Sequence, residues 1–511
     1  MATEYFQIGG YMPHVQWHQP YQFDDRLSQI IWDPSSPLRR GKPTGSPLEL
    51  ILGITPRGSS HLLLTADQAH GVASHGNLRY PGKRPDQRTS RDCVVYQSLS
   101  PIYFASVEDL EKKLRTLKPK AKKGKPGDTS QANRGYLLDT IDLSRGAFEH
   151  GRVLYRLLRE EIRPTMYSVE PPSWMGDIEI ASFVFNTKGV DDRLAEERIK
   201  TPHVLDVGFC RATLPNLDPA LGSAQYIIPG RNALLGRKEK KETFKHGETK
   251  AINTADPAAL PRAIQELFQG CKSPLVLLVN NKEETLNYLR NMGVNTSEWQ
   301  DGLTGLLYNQ NFTTGNDFQS NAAPRYNNYR DGRDRSRSPG RGFDYNHNRH
   351  ASNSRSQPYQ EPRRRHRLAP VYVVDVRRSY KTLMESDNAK TPVEIAVKLR
   401  LPDVEAGWWC AGNEAPLLID IWRSMVAGAA IDEQRQQRQP IRDPAAGPSE
   451  SLPGDAPEIN EGAPEDEDSD EERDPNVSVV QAQIANKPGQ VPEPVDILDV
   501  SDYGDSSDDS D

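Results

Sequence analysis

Apolar and polar positions follow two textures along this chain, separated by long stretches that have neither. The clearest run is Leu275-Val276-Leu277-Leu278-Val279, bounded by Pro274 and Asn280. Five consecutive apolar residues predict a strand buried on both faces, the pattern of a parallel sheet. Residues 180–185, 203–214, 225–229 and Val371–Asp375 predict further strands. Helical patterns lie between them. Ile264, Leu267 and Phe268 line one face after Pro261, which a first helical turn tolerates, and before Gly270. Residues 282–292 predict a helix stopped at Gly293. Thr391-Pro392-Val393-Glu394 joins a capping box to Pro at the first helical position. Residues 414–426 place Leu417, Leu418, Ile421 and Met425 at helical spacing. Strands alternating with helices predict an α/β domain, a mixed sheet flanked by helices.

Upstream, Leu48–Leu52, His61–Leu64 and Val94–Tyr96 are strand-sized, so residues 1–130 are expected to hold a small β-rich region and a basic linker. Residues 1–43 are rich in Pro, Gln, His and Tyr and are expected to be loosely ordered. Within 131–175, a helix over 144–163 carries Leu154, Leu157, Leu158 and Ile162 on one face and ends at Pro164. Residues 309–367 hold Asn, Arg, Ser, Gly and Tyr with almost no aliphatic residue. Such a stretch must loop out of a domain assembled from 176–308 and 368–430. Residues 431–511 turn polar and then acidic, and a disordered tail is expected there.

Composition agrees with long flexible segments: 35% of the 511 residues are apolar, 26% are charged and 40 are proline. No run of 18 apolar residues predicts a membrane span, and Met1–Tyr5 has neither the basic nor the apolar region of a secretory leader. Cys93, Cys210, Cys271 and Cys410 form no CxxC pair, which argues against structural zinc and fits a reducing compartment. Charge is unevenly spread. The net charge of -7 divides into -18 from residue 449 onward and +11 before it. A basic body with an acidic tail points to nucleic acid for the first and a protein partner for the second.

Three segments resemble the ribonuclease H-like fold of DEDDh 3′–5′ exonucleases, nearest a fungal branch described as mRNA-transport regulators. Ala181-Ser182-Phe183-Val184-Phe185-Asn186-Thr187-Lys188 with Leu205-Asp206-Val207-Gly208-Phe209 looks like the first two strands. Val276-Leu277-Leu278-Val279-Asn280-Asn281, before a helix ending at Gly293, looks like the second motif region. Val373-Val374-Asp375 and then Gly407-Trp408-Trp409-Cys410-Ala411-Gly412-Asn413-Glu414-Ala415 look like the last strand and helix.

The resemblance implies two divalent metals, Mg²⁺ or Mn²⁺, held by carboxylates, with a histidine as general base. The matching positions are altered here. Asn186 and Lys188 replace an Asp-x-Glu pair, the second motif falls at Glu284 or Thr285, Trp409 takes the histidine position, and Glu414 keeps the last carboxylate. A lysine among metal ligands opposes a cation, and tryptophan cannot accept a proton. The expectation is a pseudo-nuclease with no catalytic residues, no metal and no cofactor. Asp177 and Glu179 form an Asp-x-Glu, but using them requires a nine-residue register shift. Asp375 and Glu414 also fit plain structural roles, as a helix cap and as an acid at a helix N-terminus. Trp408 and Trp409 fit a core better than an exposed stacking platform for bases.

Other segments have binding chemistry that needs no folded surface. Residues 325–367 carry twelve arginines against four acids, a net charge of +8. Arg330, Arg333, Arg335, Arg337 and Arg341 follow Tyr326 and Tyr329, and Arg363, Arg364 and Arg365 close the segment. Guanidinium groups pair with phosphates and, like Tyr rings, stack on bases, which predicts binding of RNA or single-stranded nucleic acid. Ser336 and Ser338 lie in an Arg-Ser pattern open to phosphorylation, which would weaken phosphate binding. Residues 118–126 and 362–367 resemble nuclear-import signals and predict a nuclear location. In the tail, Val495, Ile497, Leu498 and Val500 resemble a SUMO-interacting motif, a strand added to a partner's sheet edge. Ser469, Ser506 and Ser507 have the acidic surroundings of acid-directed kinase sites. The leading expectation is a nuclear RNA-binding adaptor. An active metal-dependent exonuclease with another carboxylate set and a protein-only scaffold are the alternatives.

Overall fold

The computed structural model describes residues 5–8, 25–43, 45–78, 96–117, 130–133, 136, 141–169, 174–188, 193–220, 223–229, 240–269, 272–308, 369–405 and 408–438. Contacts divide the chain into residues 1–441 and 442–511, and every described residue belongs to the first unit.

The chain begins with β1 (Tyr5–Gln7), α1 (Asp25–Trp32), β2 (Leu48–Ile54), β3 (Ser60–Thr65), α2 (Ala66–His75), β4 (Ser98–Phe104) and α3 (Val107–Thr116). The strands form an antiparallel sheet in the order β1-β3-β2-β4. Side chains alternate between its faces, as strand geometry requires. Leu50, Leu52, Leu62 and Leu64 share a core with Leu27, Ile31, Val72, Leu110 and Leu114 of the three helices. Ile51, Leu63 and Leu99 belong instead to the larger core around α4 (Ser144–Leu158), which packs on β4.

The second sheet uses β5 (Glu179–Thr187), α5 (Ala195–Lys200), β6 (Val204–Thr213), β7 (Asp218–Pro219), β8 (Ala224–Ile227), β9 (Lys240–Lys241), β10 (Thr249–Ala251), α6 (Ala259–Phe268), β11 (Leu275–Val279), α7 (Lys282–Asn291), β12 (Gln300–Asp301) and α8 (Thr304–Leu307). It is completed by β13 (Val371–Asp375), α9 (Val376–Met384), α10 (Pro392–Lys398), β14 (Trp408–Trp409), α11 (Ala411–Val426) and α12 (Ile431–Arg438). Its order is β10-β8-β6-β5-β11-β13-β12, with β7 beside β6. From β5, the neighbours β6 and then β8 alternate in direction, while β11, β13 and β12 run parallel. One face packs Ala181, Phe183 and Leu277 against Ile264 of α6 and Leu289 of α7. The other packs Ile180, Val184 and Leu278 against α4, α9, α10 and α11. The two sheets are therefore joined through a shared helical layer.

The five expected strands of the α/β domain are present, two of them with the expected bounds, and residues 309–367 lie outside the described residues, as do Val94 and Val95. Of the run Val94–Tyr96 only Tyr96 is described, and the third upstream strand seen is β4, which begins after it. Three expectations need correction. Residues 1–43 contribute β1 and α1, because Leu27 and Ile31 find a core to enter. The helix expected to reach residue 163 stops at Leu158, where Glu160 turns left-handed at φ 56°. The tail does not begin at 431. Residues 431–438 form α12, with Ile431 and Gln434 buried and Asp432 held by ion pairs. Among the described residues, no helix is long and apolar enough to cross a membrane.

Candidate functional site

Three of the positions that the resemblance marks as catalytic, Asn186, Trp409 and Glu414, lie where α11 begins over β5 and β6. Even-numbered residues of β5 face this helix: Ser182 Oγ donates to the Ala415 carbonyl at 2.7 Å. Asn186, two pairs further along, faces the same way. Its Nδ2 donates to Glu414 Oε1 at 3.1 Å. The same oxygen accepts the Cys410 N–H at 3.1 Å, so Glu414 caps the start of its own helix.

Directly across the ladder from Asn186 stands Asp206 on β6. Its Oδ2 accepts the Ala411 N–H at 3.0 Å and Gln225 Nε2 at 2.8 Å. Gln225 Nε2 also lies 3.2 Å from Cys410 Sγ, and Gln225 Oε1 accepts Thr249 Oγ1 at 3.0 Å. The close approach depends on Gly208. A Cβ there would lie 1.8 Å from the Ala411 carbonyl oxygen, so only glycine lets the helix start seat on β6.

This pocket is shut. Asn186 is 7% exposed, Glu414 4%, Trp409 2% and Asp206 0%. Burial pushes the Cys410 thiol up to about 12, Asn413 and Gly412 backbone N–H groups opposing and the Asp206 and Glu414 charges adding. A strap runs alongside the start of α11, tied to Asn413. Lys240 and Lys241 pair with Trp408 and Trp409, and the Glu242 N–H donates to the Trp409 carbonyl at 3.0 Å.

The other sequence candidates fall as follows. Trp409 is buried and offers no platform for bases. Lys188 is half-exposed and its N–H donates to the His203 carbonyl at 2.9 Å. Thr285 is buried in α7. Glu284 lies near Asp375 and Arg377 rather than in the pocket. Desolvation raises its pKa first, Arg377 opposes, and Asp375 and Glu283 add to the rise. Asp177 is exposed and Glu179 pairs with Arg211 at 3.3 Å, so that Asp-x-Glu points away. Asp375 caps α9 through the Arg378 N–H at 2.8 Å and also accepts the Lys282 N–H at 3.0 Å. The Arg and Tyr candidates of 325–367, the tail residues Val495, Ile497, Leu498 and Val500, and the five serines lie outside the described residues.

Sequence reasoning missed Asp206 and Gln225. The signal for Asp206 was present, as one acid inside an otherwise apolar strand, Leu205-Asp206-Val207. Two Mg²⁺ or Mn²⁺ ions do not fit this donor set. Hard cations need several anionic oxygens around an open position. Here an amide nitrogen faces Glu414, and Asp206 is bound to a backbone N–H and Gln225. Among the described residues, no group of three or more His, Cys, Asp or Glu is arranged to hold a metal. Neither a scan of protein-family models nor a search of curated proteins finds a match to this chain.

Proposed function

We propose that this protein is a nuclear, RNA-binding adaptor whose body is a ribonuclease H-like domain without exonuclease chemistry. The strand directions around β5 support the fold reading: antiparallel on the β6 side, parallel on the β11 side, with α11 crossing β5 and β6. One observation carries the loss of chemistry. Asn186 and Glu414 are hydrogen-bonded to each other in a pocket closed to solvent. Phosphodiester hydrolysis by two metals needs acidic oxygens facing a cleft that admits a strand end, and two buried acids cross-linked by amides do not supply it. Trp409 at the position of the general base cannot take a proton.

Nucleic-acid binding then belongs to the arginine-rich insert, whose +8 charge and interleaved tyrosines suit phosphates and unstacked bases. The acidic tail is the partner-facing segment, with a SUMO-type β-augmentation motif at Val495, Ile497, Leu498 and Val500. The test compares single-stranded RNA affinity of the full chain and a chain lacking 325–367 across salt concentrations. Affinity of the full chain should fall steeply with salt, by a log–log slope of about -0.7 per phosphate neutralised. The deletion should weaken binding about ten-fold or more and flatten that slope. Equal affinity and slope for both chains would reject the proposal.

A further inference from the structure

Where α11 ends, rather than where it begins, the second sheet borders a cavity of about 140 Å³. It lies at the carboxyl ends of β12 and β13, between α4, α9 and α11. Its wall residues Met425 and Val426 stand about three turns along α11 from Glu414, so it is separate from the Asn186 site. The position is one where open α/β sheets take ligands. β11 and β13 pair side by side and parallel, but α7 packs on one face of the sheet and α9 on the other, which leaves a crevice at that end.

Phe148, Met425 and Val426 form apolar walls, and Leu143, 43% exposed, an apolar lip. An apolar cavity of about 150 Å³ takes one benzene ring, so this space suits a single ring. Polar groups complete the lining. Thr304 Oγ1 lies 3.4 Å from His150 Nδ1, a long bond that leaves the hydroxyl able to turn to a ligand. The acids of the lining are already matched. Asp375 accepts the Lys282 and Arg378 N–H groups, and Asp301 pairs with Lys282 Nζ at 2.7 Å. Arg378, exposed on the first turn of α9, also lines the cavity and has no ion pair among the described residues. A guanidinium beside a helix N-terminus favours a carboxylate. We propose that the cavity binds a small aromatic acid, a single ring held between α4 and α11 with its carboxylate on Arg378. The site goes beyond the proposed function and depends neither on RNA binding nor on the Asn186 pocket.

The test is a ligand-observed NMR titration of the full chain with benzoate, using acetate and phenol as probes of charge and ring alone. Benzoate should bind saturably with a Kd of about 1 mM or tighter, within reach of a ligand of this size, and acetate and phenol about ten-fold more weakly. Arg378→Gln should weaken benzoate about ten-fold and leave phenol unchanged. Ala147, exposed on α4, lines the cavity, so Ala147→Leu narrows it without entering the core. That variant should weaken benzoate and phenol alike by about ten-fold, with the urea midpoint of the protein unchanged. No saturable benzoate binding below about 10 mM, or benzoate binding that both variants leave unchanged, would overturn the proposal. Phenol binding as tight as that of benzoate would overturn the role of Arg378 and with it the ligand class.

Discussion

At the scale of single residues, α4 shows how polar groups were taken inside. Its apolar face was plain from Leu154, Leu157 and Leu158. In the fold both sides are buried. Arg145, Glu149 and Arg152 recur at the same helical spacing and face the first sheet and α12. Glu149 accepts Ser100 Oγ at 2.5 Å and the Ile431 N–H at 2.9 Å, and it pairs with Arg152. Their partners come from distant parts of the sequence, so no local pattern could announce them. His150 lies beside them, with Nε2 donating to the Gln97 carbonyl at 2.9 Å. Burial lowers its pKa to about 4, with the Gln97 carbonyl and Glu149 opposing. A histidine depressed in the folded state binds its proton sooner when unfolded. Its contribution is therefore complete above pH 6.5 and is lost as pH falls toward about 4, a loss of about 3 kcal/mol. Urea unfolding between pH 7 and pH 4.5 should show that decline, and His150→Gln should flatten it. Identical pH dependences would contradict this account.

At the scale of elements, α12 is the best case of structure hidden from sequence. Ile431-Asp432-Glu433-Gln434-Arg435-Gln436-Gln437-Arg438 has one apolar residue, and it borders an acidic tail. Its place is fixed by charge. Lys113 meets Asp432 at 3.3 Å and Glu433 at 2.7 Å, and Arg145 meets Asp432 at 2.6 Å. Burial alone would raise the Asp432 pKa, but Lys113, Arg145 and Arg435 outweigh it and hold the carboxyl at about 2. Lys113 lies within residues 1–130, where a basic linker was expected, yet it is 7% exposed. Removing Asp432 takes the paired carboxylate from the buried Arg145 and one of two from Lys113. Asp432→Ala should cost about 3 kcal/mol in urea unfolding. A loss below about 0.5 kcal/mol, the size of a surface change, would contradict the lock. Elements whose partners are local behaved differently. Thr391 and Glu394 form the expected capping box, and Asp375 caps α9 as a strand-end acid can.

At the scale of the molecule, the sequence showed the α/β sheet because buried strands such as Leu275–Val279 carry their own signal. It did not show how the first sheet docks, since that joint rests on α4, buried ion pairs and α12. The candidate pocket was legible in part. Asn186, Trp409 and Glu414 could be placed in advance, and all three are buried around the start of α11. Asp206 and Gln225 depend on register and on partners 19 to 205 positions away, which pattern reading does not reach. The proposed function requires that the site at Asn186 and Glu414 does not support metal-dependent cleavage. The direct measurement is the length of end-labelled single-stranded RNA incubated with the purified full chain and Mn²⁺ or Mg²⁺. Full-length RNA should persist, equally with the chain and with its Glu414→Ala variant. Metal-dependent shortening by the chain that disappears in Glu414→Ala would contradict it.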